Sequence, residues 1–434
     1  MNLQFKDVLV INKPLRLTWL GAPLAILWLL SITPVNAAQN DNMLSLSEAV
    51  QQTLTQHPSL QVFPIRQQQL AAQKQTANLK PAYVLGAEVE NVAGTGQLSG
   101  VKSLETSVSL SSVLELGGKR LSRVEVVEQN SDLINVERKI QALDLLGSVT
   151  RRYIDVLNSQ ERVLLAREGV SLAEATLTEV NKRVNAAIAP SADKGRAEAA
   201  LEEALLTLMA EQRQLKTQQM ALANMWGSYQ PTFERVSSSL YTIGEAIPFD
   251  VLFNRVQQNP QIELFATESR VRDAQVRLAR TQQTADLTWS VGIRRDEGLN
   301  DTALIAGFSM PLFSKQRAQG EIESALAARN EVTYRRQDAL LQLHTQLYRA
   351  YSGREQAILS TQKLQEAIIP KLTQSLEQIQ NGYQRGLYSY LDFLTVRKDL
   401  LSAKRSLIEA SAAALQFEAE IEQLTAEPLI AAAQ

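Results

Sequence analysis

Few side chains in this chain could do chemistry, and their spacing argues against catalysis. Glu88, Glu90 and Glu105, with Arg294 far downstream, lie in stretches where polar and apolar residues alternate. Paired carboxylates can serve as general acid and base, but a hydrolase also needs an orienting pocket, and no such constellation is written around them. In "SVSLSSVLELGGKRLSRVE" the residues Gly117-Gly118-Lys119 look like the end of a phosphate-binding loop. That loop needs a glycine five residues before its final Gly-Lys, and a Ser or Thr after the lysine to hold magnesium. Val113 and Arg120 stand in those places, so the nucleotide pattern fails. There is no cysteine, which removes disulfides, thiolate metal sites, a cysteine nucleophile and a lipid-modified N-terminal cysteine. The two histidines, His57 and His344, are far apart, and turn chemistry accounts for His57 before Pro58. No enzyme activity, cofactor or resident metal is expected.

The elements that must position these residues begin after an N-terminal leader. Lys13 and Arg16 precede an apolar run from Leu17 to Ile32, and Val35-Asn36-Ala37 fits the small-residue cleavage rule. Residues 1–37 read as a secretory signal cleaved after Ala37. The alternative, a single membrane anchor, is opposed by Gly21 and Pro23 within a short run. The formal net charge of −2 carries no nucleic-acid footprint. No later segment has the long apolar stretch of a membrane helix.

The remainder is written twice. "QQTLTQHPSLQVF" (51–63) is echoed by "FNRVQQNPQIELF" (253–265), and "RRYIDVLNSQE" aligns with "TQLYRAYSGRE". Asp193 aligns with Asp392. Two repeats, 38–230 and 248–427, share one plan: a short helix, two strands and two long helices, with a linker at 231–247 and a tail at 428–434. Strands are predicted at about 82–93, 103–114, 286–296 and 302–312, and helical hairpins at about 118–226 and 315–427. Each strand alternates with one polar face. On the last helix an apolar seam recurs every seven residues, at Phe393, Leu400, Leu407, Ala414 and Ile421. Val396, Ala403, Ala410, Phe417 and Leu424 form a second row, and Leu394, Leu401, Ile408 and Leu415 a third. Such a wide face should touch neighbours on two sides. A helix of about 60 residues would be about 90 Å long, more than a compact core needs. Four strands cannot close a membrane barrel, but three chains would supply twelve. The competing reading is a periplasmic structural coiled-coil protein.

"LSLSEAVQQTLTQHPSL", the duplicated His-Pro or Asn-Pro turn and "YQRGLYSYLDFLTVRKDLLSAKRSLIEA" resemble the TolC-like outer-membrane efflux proteins across residues 44–427. "EVENVAGTG" and "LELGGKR" look most like the CzcC-type branch, which serves cation-exporting pumps. The resemblance implies a mainly α fold with a membrane β part: a homotrimer with a 12-stranded outer-membrane barrel and a helical tunnel into the periplasm. It also implies a periplasmic adaptor and an inner-membrane proton-driven transporter of the RND class. Multidrug efflux or type I secretion are the alternative uses of the same duct.

On that reading Gly117 and Gly118 mark where strand leaves the barrel, with Pro311 bending the second repeat, and Lys119 and Arg120 are solvated or touch lipid phosphate at the rim. Glu88, Glu90, Glu105 and Arg294 face the lumen. Gly386, Leu387, Tyr388 and Ser389, with Ala187 and Pro190 in the first turn, would meet the adaptor. Ala187 stands where the family pattern has glycine, which questions whether both turns share a conformation. Tyr383 and Asp392 are implied at the periplasmic gate, Tyr383 through a hydroxyl hydrogen bond and Asp392 as one carboxylate of a ring of three. A helix N-cap is the equally weighted role for Asp392.

Overall fold

The computed structural model describes residues 43–245 and 247–427; the leader at 1–37 and the tail at 428–434 lie outside the described residues. Each repeat opens on helices. Strand β1 (Met43–Leu44) precedes α1 (Leu46–Gln56), which a Ser45–Glu48 capping box starts, and α2 (Pro58–Ala77) follows. Strands β2 (Val84–Glu90) and β3 (Glu105–Leu114) lead into the 67-residue α3 (Lys119–Asn185), then α4 (Ser191–Ala223). A short β4 (Arg235–Val236) precedes the second repeat: α5 (Phe249–Val256), α6 (Pro260–Thr281), β5 (Leu287–Asp296) and β6 (Asp301–Ser309). The chain closes with α7 (Ser314–Lys363), α8 (Ile369–Gln384) and α9 (Tyr390–Thr425). Helices α2 and α6, of 20 and 22 residues, are longer than the single short helix expected before the strands.

Between α7 and α8, Leu364–Ile368 form a π-helical turn, with the Ile369 N–H bonded to the Leu364 carbonyl. Pro370 is the cause: without an N–H it cannot serve the carbonyl of Glu366, and its ring crowds that oxygen, so the bonds shift register. No proline lies within α3.

Two compact units cut across the repeats. One comprises residues 58–142 and 258–343, the other 43–57, 143–257 and 344–427. In the first, the four strands form one antiparallel sheet in the order β2-β3-β5-β6. Its central pairing, β3 with β5, joins the repeats from Glu105↔Asp296 to Leu114↔Leu287. In the second, α9 is the central helix. Phe393 and Leu400 pack with Leu376 of α8, while Lys404 pairs with Glu168 and Gln416 with Asp155, both on α3. With Leu394 packed in one apolar cluster with Val180 and Leu177 of α3, the wide apolar face read from the heptads meets neighbours on two sides.

The strand-to-helix turns use left-handed backbone in both repeats. Gly117 and Gly118 have φ of 72° and 77°. In the second repeat the left-handed residue is Phe313, φ 63°, not Pro311; the proline ring holds φ negative, so the turn's left-handed step falls two residues later. Lys119 also departs from expectation. It is 6% exposed, with its Nζ 2.7 Å from Asp286 Oδ2, and the other oxygen of Asp286 accepts the Leu116 N–H at 3.1 Å. Arg123 holds Glu115 at 2.5 Å across the same turn. Lys119 therefore staples the turn rather than meeting solvent or lipid.

The two glycines should not be equivalent. A Cβ on Gly117 would come within 2.8 Å of the Thr284 side chain, whereas one on Gly118 meets nothing. Gly118→Ala should cost about 1–2 kcal/mol for left-handed backbone alone, and Gly117→Ala clearly more. Thermal melting of the detergent-solubilised protein checks the order; equal losses would remove the steric role of Thr284.

Candidate functional site

Two places gather the residues singled out above: the hairpin tips and the polar face of the sheet. At the tips, α3 and α8 end in one and the same motif. The Ala187 N–H donates to Val184 O at 2.9 Å and the Ile188 N–H to Arg183 O at 2.9 Å. In the other tip Gly386 donates to Tyr383 O at 3.0 Å and Leu387 to Gly382 O at 2.8 Å. These are the paired bonds of a Schellman cap, whose turning residue must be left-handed. Ala187 accepts φ 56° and Gly386 φ 79°, so alanine in the first turn does not change its conformation. The next residue in this motif usually packs back on its helix, yet Ile188 is 66% and Leu387 73% exposed. Tyr388 and Leu391 add further exposed apolar surface, and Pro190 and Ser389 are the caps of the returning helices.

Asp392 is not itself the N-cap. Ser389 is: its hydroxyl accepts the Asp392 N–H at 3.2 Å and donates to Asp392 Oδ2 at 2.7 Å, while the Ser389 N–H donates to the same oxygen at 2.9 Å. Those bonds from Ser389, side chain first and backbone second, hold the Asp392 carboxyl below its ordinary 3.8. The carboxylate is thus ionised and at the surface of the protomer.

Tyr383 points the other way. It is 5% exposed, stacked on Phe393 with ring centroids 6.0 Å apart and beside Tyr390. The Arg183 guanidinium lies 4.4 Å from its ring centroid and donates to its carbonyl. The hydroxyls of Tyr383 and Tyr390 have no hydrogen-bond partner in the protomer, and burial pushes both phenols up in pKa. Within the protomer Arg183 ties the two tips by a cation–π contact and a carbonyl bond, beside apolar packing of Tyr383 and Tyr390 with Val180 and Ala197, and the Tyr383 hydroxyl takes no part. Arg183 had no sequence signal beyond a basic residue in the last turn of α3.

In the sheet, Leu85, Val89, Val108, Leu110, Val291, Ile293, Leu304 and Phe308 are all exposed on one face. The other face is mostly small and charged residues, with Val84, Val113 and Ile305 among them. Gly292 there leaves no room: its Cβ would come within 2.4 Å of Val108 O and 2.9 Å of Ser109 Cα. A Cβ on Gly307 would lie 2.8 Å from Ser290 Oγ. Both close approaches lie on the polar face, where a side chain at either position would crowd the neighbouring strand. Glu88, Glu90, Glu105 and Arg294 all stand on it. Arg294 reaches Glu105 at 3.1 Å and Glu90 at 3.7 Å. Register also shows what the sequence did not reveal: Glu90↔Glu105, Glu105↔Asp296 and Asp296↔Asp301 are directly opposite. One carboxylate per strand forms a row across the sheet. Like charges opposite one another cost stability, and Arg294 is the cation set beside them. Among the described residues no group of three or more His, Cys, Asp or Glu is placed to hold a metal ion, and no helix is long and apolar enough to cross a membrane.

The tip geometry sets two expectations. Gly386→Ala should cost about 1 kcal/mol while Ala187→Gly should not destabilise, since only the first substitution puts a Cβ on left-handed backbone; a matched loss in both would contradict the shared motif. Tyr383→Phe should leave the melting temperature unchanged or higher, because it removes a buried hydroxyl without a partner, whereas Arg183→Gln should lower it. Asp392→Asn should destabilise at neutral pH. Because the folded carboxyl sits below its ordinary value, that difference should persist above about pH 4 and fade as pH drops through the folded value.

The match to the outer membrane efflux protein family covers residues 49–228 and 254–427. The cobalt-zinc-cadmium resistance protein CzcC of Cupriavidus metallidurans is 26% identical over 304 residues, spanning 70% of this chain and 73% of that protein. The nickel and cobalt resistance protein CnrC of the same organism is 25% identical over 332 residues, spanning 74% and 77%. Among solved structures, the open-state outer membrane channel MtrE of Neisseria gonorrhoeae aligns with a TM-score of 0.69 at 20% identity, covering 90% of each chain. CusC aligns with a TM-score of 0.71 at 16% identity, covering 88% of this chain and 91% of that one. With one matched span in each repeat, on a fold shared with solved outer-membrane channels, the chain belongs to the outer membrane efflux protein family.

Proposed function

We propose that the protein is the exit duct for heavy-metal cations in a tripartite efflux system. It would act as a homotrimer with a periplasmic adaptor and an inner-membrane transporter of the RND class, which supplies the energy; the duct itself does no chemistry. The two repeats each lend two strands to a barrel in the outer membrane and one hairpin to a periplasmic tunnel. Three copies are supported by the sheet, whose edge strands β2 and β6 have no partner among the described residues on their outer sides. They are supported too by α7, where Tyr334, Leu341 and Tyr348 recur every seven residues at 72%, 69% and 59% exposure. A heptad seam left in the open is a helix waiting for another. Ile188, Leu387, Tyr388 and Leu391 offer the adaptor an apolar tip.

The observation that carries the cation reading is the carboxylate row. In a trimer, Glu90, Glu105, Asp296 and Asp301 would close into a ring on the polar face, with Glu88 beside it. Rings of acidic side chains favour cations in confined water. Relatives named for resistance to cobalt, zinc, cadmium and nickel support the same cargo class. At the tips, three copies of Asp392 would form a second, narrower ring.

Reconstituted in a planar bilayer under a salt gradient, the protein should show a cation-selective reversal potential. Replacing Glu90 and Glu105 with Gln and Asp296 and Asp301 with Asn, all four together, should move it toward zero. A selectivity that is anionic, or unmoved by the quadruple variant, rules out the carboxylate row as the filter. Asp392→Ala should leave that potential in place but weaken block by divalent cations added on the tip side; unchanged block would assign Asp392 to helix capping alone. In cells deleted for the gene, restored growth on cobalt, zinc or cadmium supports the cargo, and restored resistance only to uncharged toxic compounds would overturn it.

A further inference from the structure

Residues 231–245 join the repeats, and the structure fastens them far more often than a connecting loop requires. Phe233 packs on Trp226 with centroids 6.2 Å apart, Val236 and Leu240 are buried, and Arg235–Val236 pair in parallel with Met43–Leu44. Tyr153 shares its hydroxyl hydrogen between the carbonyls of Leu44 and Ser237, both at 3.0 Å. The first hairpin grips the main chain with two glutamines. Gln160 accepts the Val236 N–H at 2.8 Å and donates to the Val236 carbonyl at 3.5 Å, and Gln219 donates to Glu234 O at 2.7 Å. At the far end, Arg354 donates to Gly244 O at 2.6 Å and Glu245 O at 3.3 Å, and holds Glu418 through Nε and Nη2 at 3.2 and 3.1 Å. The Arg354 and Glu418 side chains are 6% and 5% exposed.

These four side chains occupy matched places. In the alignment of "RRYIDVLNSQE" with "TQLYRAYSGRE", Gln160 falls on Arg354. Gln219 lies 26 residues after Asp193, and Glu418 lies 26 residues after Asp392. The chemistry differs because the gripped groups differ. Val236 offers an N–H and a C=O of one residue, which an amide matches as acceptor and donor. Gly244 and Glu245 offer two carbonyls, which call for donors only, and a guanidinium supplies them if a carboxylate neutralises its charge. Gly353 completes the arrangement: a Cβ there would come within 2.5 Å of the Phe417 ring, so α7 and α9 close tightly beside the pair.

We propose that segment 231–245 is a tie clamped once by each repeat, and that Arg354 and Glu418 are positioning residues that fix the second hairpin to it. The tie sets the register between the two hairpins, whatever cargo the duct carries.

Hydrogen exchange on the purified full-length protein in detergent, read by peptide, tests this. Arg354→Gln and Glu418→Gln should each speed exchange about tenfold or more at residues 240–245 and leave 233–237 unchanged, since separately held segments open independently. Gln160→Ala should do the reverse. The double variant Arg354→Gln with Glu418→Gln carries the residue types found in the first repeat and should exchange more slowly at 240–245 than either single variant. Three results overturn the proposal: no change at 240–245 in the single variants, equal loosening along the whole segment, or a double variant as loose as the singles. If a single variant does not fold, the double variant decides alone: native oligomer yield upholds the matched clamp and failure overturns it.

Discussion

The outer edges of β2 and β6, without a partner among the described residues, are the constraint on which the rest of this molecule depends. The sheet is complete in its middle, where β3 and β5 pair over ten residues and join the repeats. It is open at both ends, with apolar side chains exposed on one face and charge on the other. A soluble protein hides the apolar face against helices; here the amphipathicity is turned outward. Edge backbone groups cannot remain unpaired in a bilayer, which is the physical ground for the proposed closure of the sheet by other copies. The helices follow the same logic, with α9 satisfied inside the protomer and α7 presenting a seam.

Reversals of chain direction are governed by left-handed backbone rather than by flexibility. Gly117 and Gly118, Phe313, Ala187 and Gly386 all take positive φ at corresponding points of the two repeats. Only some are glycine. The repeats have kept the geometry of each turn while changing the residue that bears it. At the first strand-to-helix turn, borne by glycine, Lys119 with Asp286 and Arg123 with Glu115 hold the turn in place.

At the tips the charges divide the work. Asp392 is spent on capping α9 yet keeps its carboxylate at the surface, so capping and an electrostatic role at a pore mouth are compatible in one side chain. Tyr383 is spent on packing. Its ring and carbonyl are held by Arg183 from the other hairpin, and its ring also packs with Val180 and Ala197 there. The hydroxyl that looked functional in the sequence is the part of the residue without a partner.

Much of the architecture is legible in the sequence alone, because it rests on periodicity and on repetition. Seven-residue spacing from Phe393 to Ile421, two-residue alternation in four short strands, and a duplicated His-Pro or Asn-Pro turn are one-dimensional signals of helix, strand and repeat. Parity by itself assigns Glu88, Glu90, Glu105 and Arg294 to a polar face. What stayed hidden depends on pairings distant in sequence. The row of Glu90, Glu105, Asp296 and Asp301 exists only through strand register, and Asp296 and Asp301 look like ordinary turn residues until β5 is laid on β3. The burial of Lys119 requires Asp286, 167 residues away, and the partner of Tyr383 is Arg183, 200 residues away. A chain read residue by residue states which positions face together within an element; which elements meet, and hence which charges are neutralised and which left to act, is decided by packing.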